Sequence, residues 1–198
     1  MRTPPTELTI EHALLGFVYA HPRHGYEIYQ QLADAGGLWQ VWRLKQSQLY
    51  ALLTKLEDAG YLAATMQSQE PRPPRKIYRL TATGAAAFER WLRTPVAHGR
   101  QMRIEFLAKL YFAQQQGAAN TIRLIDQQTT ACHSWLQDLR SADSLLAEMQ
   151  LNVQLDVKAG DDFFGYAVQQ FRLNQIESFI TWLTTCREAL LAAGTCKE

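Results

Sequence analysis

Apolar positions in the first third of the chain recur at helical spacing. Ile10, Leu14, Leu15 and Val18 repeat at i, i+4, i+5 and i+8, one face of an amphipathic helix led in by Thr9. Pro22 and Gly25 end it in the turn Ala20–Gly25, because both disfavour continuation. Tyr26, Ile28, Tyr29 and Leu32 open a second helix that stops near Gly36 and Gly37. In residues 45–60, Leu49, Leu52, Leu53 and Leu56 fall at i, i+3, i+4 and i+7, a narrow stripe for burial, and Gly60 supplies the stop.

The other side of that third helix carries Ser47, Tyr50, Ala51 and Thr54, flanked by Gln48 and Lys55. A face of small, hydrogen-bonding residues without dense charge suits the major groove, where bulk is excluded and donors and acceptors meet base edges. Two strand-like pieces follow, Tyr61-Leu62 and Ile77 to Leu80, separated by the polar tip SQEPRPPRK. Pro71, Pro73 and Pro74 cannot donate to a central sheet ladder, so they are assigned to the loop. Arg72, Arg75 and Lys76 make that tip basic, and a basic hairpin directly after such a helix predicts a wing. Thr81 and Thr83 lead into a helix whose Phe88, Trp91 and Leu92 pack back onto the domain.

Pro95 and Gly99 mark the expected boundary, dividing the chain into residues 1–94 and 95–198. The second part reads as wholly helical. Phe106, Leu107, Leu110 and Tyr111 form one apolar patch ending near Gly117. Ile122, Ile125, Thr129, Cys132, Leu136, Leu139, Asp143, Leu146, Gln150 and Val153 then alternate by three and four, a heptad seam with polar interruptions. Gly160, Asp161 and Asp162 read as a turn and cap before a last helix bearing Val168, Phe171, Ile176, Phe179, Leu183 and Leu190. Two long apolar faces need a partner, and a second copy is the simplest. Ile122, Ile125, Leu136, Leu139, Leu146, Phe171, Phe179 and Leu183 are the candidate dimerisation residues.

Composition adds modestly to this. Apolar residues make up 47% of the chain, enough for a real core. The run Leu14–Ala20 is too short to span a bilayer, and MRTPPTELT lacks the apolar core of a signal peptide, so a soluble cytoplasmic protein is expected. Cys132, Cys186 and Cys196 are odd in number and not spaced like metal ligands, which fits free thiols in a reducing compartment. Net charge is only +1, but residues 1–94 carry 11 basic against 8 acidic residues and residues 95–198 carry 9 against 11. That asymmetry fits DNA contact by the first part and protein contact by the second.

The first part resembles the PadR family of winged-helix transcriptional regulators over roughly residues 8–94. The resemblance is carried, in order, by Leu14-Leu15-Gly16, His24 to Ile28, Gln48-Leu49-Tyr50 with Leu53, Leu56-Glu57 and Gly60. Pro74-Arg75-Lys76 with Tyr78, Leu80-Thr81 and Gly84, then Trp91-Leu92, complete it. The remainder resembles, in length and helix pattern, the helical dimerisation domain of the virulence-activator-like branch. The resemblance implies a homodimeric regulator on a pseudo-palindromic operator, a repressor in the favoured reading, with Tyr50 against the DNA backbone and Arg75 and Lys76 near phosphate or minor groove. It also implies an effector, a phenolic or drug-like aromatic, in some members and a partner regulator in others. The segment GLWQVWRLK departs from the family's small-polar approach to the third helix.

The candidate DNA-binding residues are therefore Lys45, Gln46, Ser47, Gln48, Tyr50, Thr54, Lys55, Arg72, Arg75 and Lys76. Each has a plainer reading as a solvated helix face or loop. Trp39, Trp42, Trp135 and Trp182 are candidates for an aromatic effector pocket, with core or dimer packing favoured over it. His12, His21 and His24 lack carboxylate or cysteine partners at ligand spacing, so no metal or cofactor is expected. Cys132 and His133 are adjacent on a helix and point about 100° apart, which rules them out as nucleophile and base. The alternative to a DNA binder is a winged-helix module or co-regulator that binds a partner protein. A helical enzyme has no phosphate loop, paired carboxylates or metal spacing to support it.

Overall fold

Helices dominate the computed structural model, which describes residues 11–34, 37–69, 72–152 and 163–195. Helix α1 (His12–Phe17) buries Ala13, Leu14, Leu15 and Phe17. A two-residue strand β1 (Arg23–His24) leads into α2 (Gly25–Ala33), whose Ile28 and Leu32 are buried. Helix α3 (Gln46–Asp58) buries Leu49, Leu53 and Leu56, three of the four stripe leucines, while Leu52 is half-buried. It ends where Gly60 takes a positive φ of 76° and Tyr61 N–H reaches back to the Leu56 carbonyl at 2.9 Å. The expected helix start at Ile10 falls outside the described residues.

The hairpin consists of β2 (Leu62–Gln69) and β3 (Arg72–Leu80), and β1 adds on the far edge of β3 through Arg23↔Tyr78 and His24↔Ile77. The sheet order is thus β1-β3-β2, all antiparallel. Two sequence expectations change here. The turn Ala20–Gly25 contains a strand, too short to show a period. The hairpin also runs further than its prolines suggested, with Pro73 and Pro74 inside β3. They fit because the register breaks between Gln67↔Arg75 and Gln69↔Arg72, so neither proline is asked for a ladder bond.

Helix α4 (Ala82–Arg93) follows, capped by Thr81, whose hydroxyl accepts the Gly84 N–H at 3.0 Å. Its Phe88, Trp91 and Leu92 are buried. Helix α5 (Glu105–Gln115) packs against α1 and α4, with the Phe112 ring so close to Gly16 that an added Cβ there would fall 2.6 Å from it. The link from α4 to α5 is fixed by a buried pair. Lys109, 2% exposed, gives its ammonium to the Thr94 carbonyl at 2.6 Å and to Glu105 at 3.1 Å. Trp91 Nε1 donates to the same Glu105 oxygen at 3.0 Å, and burial holds the Lys109 pKa below the ordinary lysine value.

Because α5 joins this core, the chain forms two compact units, residues 1–117 and 118–198. The second unit is a pair of long helices, α6 (Ala118–Asn152) and α7 (Phe163–Thr195), packed on each other. Arg140–Glu177 at 3.0 Å and Arg187–Asp126 at 2.7 Å pair them in antiparallel sense. No helix among the described residues is long and apolar enough to cross a membrane.

Candidate nucleic-acid interface

The leucine stripe that seats α3 in the core dictates what its other side presents. Leu49, Leu53 and Leu56 are at most 1% exposed, so residues about half a turn away reach solvent: Ser47, Thr54 and Tyr50, the last 38% exposed. Lys45, Gln46, Gln48 and Lys55 are exposed with them. Two polar groups are partly engaged. Gln48 accepts the Lys45 backbone N–H at 2.9 Å, capping the helix start, and Thr54 donates to the Tyr50 carbonyl at 3.1 Å. The Gln48 amide protons and the Thr54 hydroxyl oxygen keep hydrogen-bonding capacity toward solvent.

Tyr50 is held by a neighbour the sequence did not flag. A Cβ on Gly25 would fall 2.5 Å from Tyr50 Cε1 and 3.3 Å from its hydroxyl oxygen, so the ring lies directly on the α2 glycine. Tyr26, 52% exposed, sits next to that contact at the start of α2. His24 completes the corner. Its backbone N–H donates to Glu27 at 2.8 Å, and its Nδ1 lies 3.3 Å from the Lys76 carbonyl oxygen. The motif His24 to Ile28 was visible in the sequence, but its role in seating Tyr50 depends on how closely α2 approaches α3.

The cations of the region fall into two groups. Lys55 pairs with Glu11 at 2.7 Å and Lys76 with Glu57 at 2.6 Å. The Glu57 hydrogen bond raises the Lys76 pKa, and the Lys76 ammonium also lies over the Tyr78 ring at 5.5 Å. Burial pushes the Tyr78 phenol up. Lys45 and Arg75 are exposed and form no ion pair among the described residues. Arg72 begins β3, and its side chain lies outside the described residues.

The remaining candidates are divided between the two units. Trp39 and Trp42 lie in the first unit, Trp135 and Trp182 in the second, so the four form no pocket within either one. Trp182 lines a surface hollow of about 560 Å³ with Asn174, Glu177, Ser178 and Thr181, all polar residues of α7. Of the dimerisation candidates, Ile125, Leu136 and Leu183 are already buried in a single chain. Ile122, Leu139 and Phe179 are half-buried, and Phe171 is 64% exposed. The Leu146 side chain and Val153 lie outside the described residues. Among the described residues no group of three or more His, Cys, Asp or Glu could hold a metal ion.

A three-helix core with α3 presented beside a three-stranded antiparallel sheet is a winged helix-turn-helix domain. Residues 14–90 match the transcriptional regulator PadR-like family and residues 102–190 match the virulence activator alpha C-terminal domain. The chain belongs to the PadR-like family of transcriptional regulators and is a DNA-binding transcriptional regulator. It is 27% identical over 184 residues to the negative transcriptional regulator PadR of Bacillus subtilis, covering 92% of this chain and 96% of that protein. The crystal structure of that protein in complex with operator DNA is 25% identical and covers 91% of this chain and 98% of its own, with a TM-score of 0.41. Its complex with p-coumaric acid is 24% identical over the same shares, with a TM-score of 0.38.

Proposed function

We propose that this chain represses transcription as a homodimer on a pseudo-palindromic operator, inserting α3 into the major groove and laying the wing along the flanking backbone. The observation that supports this reading best is the exposed face of Ser47, Tyr50 and Thr54, which backs onto the buried Leu49, Leu53 and Leu56. Lys45, Gln46, Ser47, Gln48 and Thr54 supply donors and acceptors to base edges, while Tyr50 and the wing residues Arg72 and Arg75 face the sugar–phosphate, with Lys76 beside them at the base of the wing. Residues 1–94 carry the DNA contacts, and residues 95–198 carry dimerisation and regulation, α5 being built into the first compact unit.

Two recognition helices must stand about 34 Å apart to reach successive major-groove half-sites. Phe171, a large apolar side chain left exposed on α7, supports a second copy as the partner of the helical unit. An effector or partner regulator that changed the helix separation would change operator affinity, because both half-sites have to be reached at once. The phenolic acid bound by the Bacillus relative makes aromatic acids the first panel to test. Operator affinity unchanged across that panel would remove the small-molecule version.

The rival reading, a winged module that binds protein, is separated by one comparison. Arg75→Ala with Lys76→Ala should weaken duplex binding and flatten its dependence on salt by about one unit of slope, the share of the Arg75 phosphate contact. A protein adaptor would bind no duplex at any salt concentration.

A further inference from the structure

We propose that the Glu57–Lys76 ion pair is a latch that sets the wing against the recognition helix, making both side chains positioning residues and leaving phosphate contact at this point of the wing to Arg75. This rests on the DNA-binding reading of the face.

Neighbouring residues of a strand point to opposite faces, so Lys76 and Arg75 are on different sides of β3. Lys76 shares its face with Tyr78 and Leu80, and across the register with Leu62, Ala64 and Met66. The base of that face is core, because Leu62 and Tyr78 are buried. Further out the core ends, and Lys76 bridges the gap to Glu57 on the last turn of α3. Its main chain is tied at the same point, with His24 Nδ1 at 3.3 Å from the Lys76 carbonyl oxygen and His24 paired with Ile77. Lys76 therefore joins the recognition helix, the wing and the strand that opens α2.

Arg75 lies on the other face with Ile77 and Arg79, exposed and without an ion-pair partner among the described residues. The electrostatics separate the two. A phosphate that took Lys76 would displace the Glu57 carboxylate and leave it uncompensated beside a polyanion. Arg75 meets a phosphate without that penalty.

The test uses the full chain, a duplex enriched from a random pool by the wild type, and a scrambled duplex of the same length, each titrated across a salt series. Lys76→Met and Glu57→Gln should each lower the ratio of the two affinities by about threefold to tenfold, as neighbouring coupled groups do, with the salt slope unchanged. The double variant should be no worse than either single one. Lys76→Arg, which keeps the pair, should retain the wild-type ratio, and Arg75→Ala should flatten the slope by about one unit. Wild-type melting temperatures in all variants would show that the winged domain itself is intact. If Lys76→Met flattens the slope as Arg75→Ala does, and Glu57→Gln tightens binding, Lys76 grips phosphate and the latch is wrong. A wild type that enriches no duplex would overturn the DNA-binding reading along with it.

Discussion

Tyr50 can lie flat on α2 because residue 25 has no Cβ, and its position at the edge of the recognition face depends on that absence. Gly25→Ala should push the ring off its seat and weaken operator binding by about tenfold, the size expected for contacting residues. The same substitution in a Tyr50→Ala background should have little further effect, and equal losses in both backgrounds would place the damage in the fold instead. Tyr50 and Thr54 were legible as surface residues because the leucine period alone sets which way they turn. The Gly25 contact and the Lys76–Glu57 pair were not. The first joins α2 to α3 and the second joins α3 to β3, and no local spacing reports such an approach.

Elements were read well where one period governs a segment and less well where two constraints compete. Helix α3 and its glycine stop match their periodic reading within a residue or two, since burial, spacing and Gly60 all agree. Proline argues against a central strand and so predicts a shorter hairpin, yet at Pro73 and Pro74 the ladder is interrupted and β1 does not reach that far. Pro95 and Gly99 punctuate a link whose two ends, α4 and α5, share one core. Two substitutions probe these junctions. Gly84→Ala would drive a Cβ into the Tyr61 carbonyl oxygen, a backbone atom that cannot step aside, and should destabilise the first unit by about 2 kcal/mol or more in urea unfolding. Lys109→Ala leaves Glu105 buried without its ammonium partner and should cost about 3–5 kcal/mol. Lys109→Met with Glu105→Leu should recover much of that loss, and a double variant as unstable as the single would show that the charge pair is not the cause.

For the molecule as a whole, the heptad seam shows how far a one-dimensional pattern reaches. It announces an apolar helix face but cannot say what covers it, and Ile125, Leu136 and Leu183 are already covered within one chain that pairs α6 with α7. Phe171 stays exposed on α7, and the proposed homodimer would cover it with a second copy. Phe171→Asp should shift the chain toward monomer in sedimentation equilibrium and lower operator affinity by about tenfold or more, through loss of the second half-site. Retention of the dimer would move the subunit contact to another surface.

The central claim is that the outward face of α3 reads bases, and a change of reading is its most direct signature. Duplexes enriched from a random pool by the wild type should share a two-fold symmetric pattern with half-sites about one turn apart. Those enriched by Ser47→Ala or Thr54→Ala should relax at one or two base positions, repeated symmetrically in both halves, with each lost contact costing about 1–3 kcal/mol of discrimination. Identical base preferences in the wild type and both variants would contradict the account.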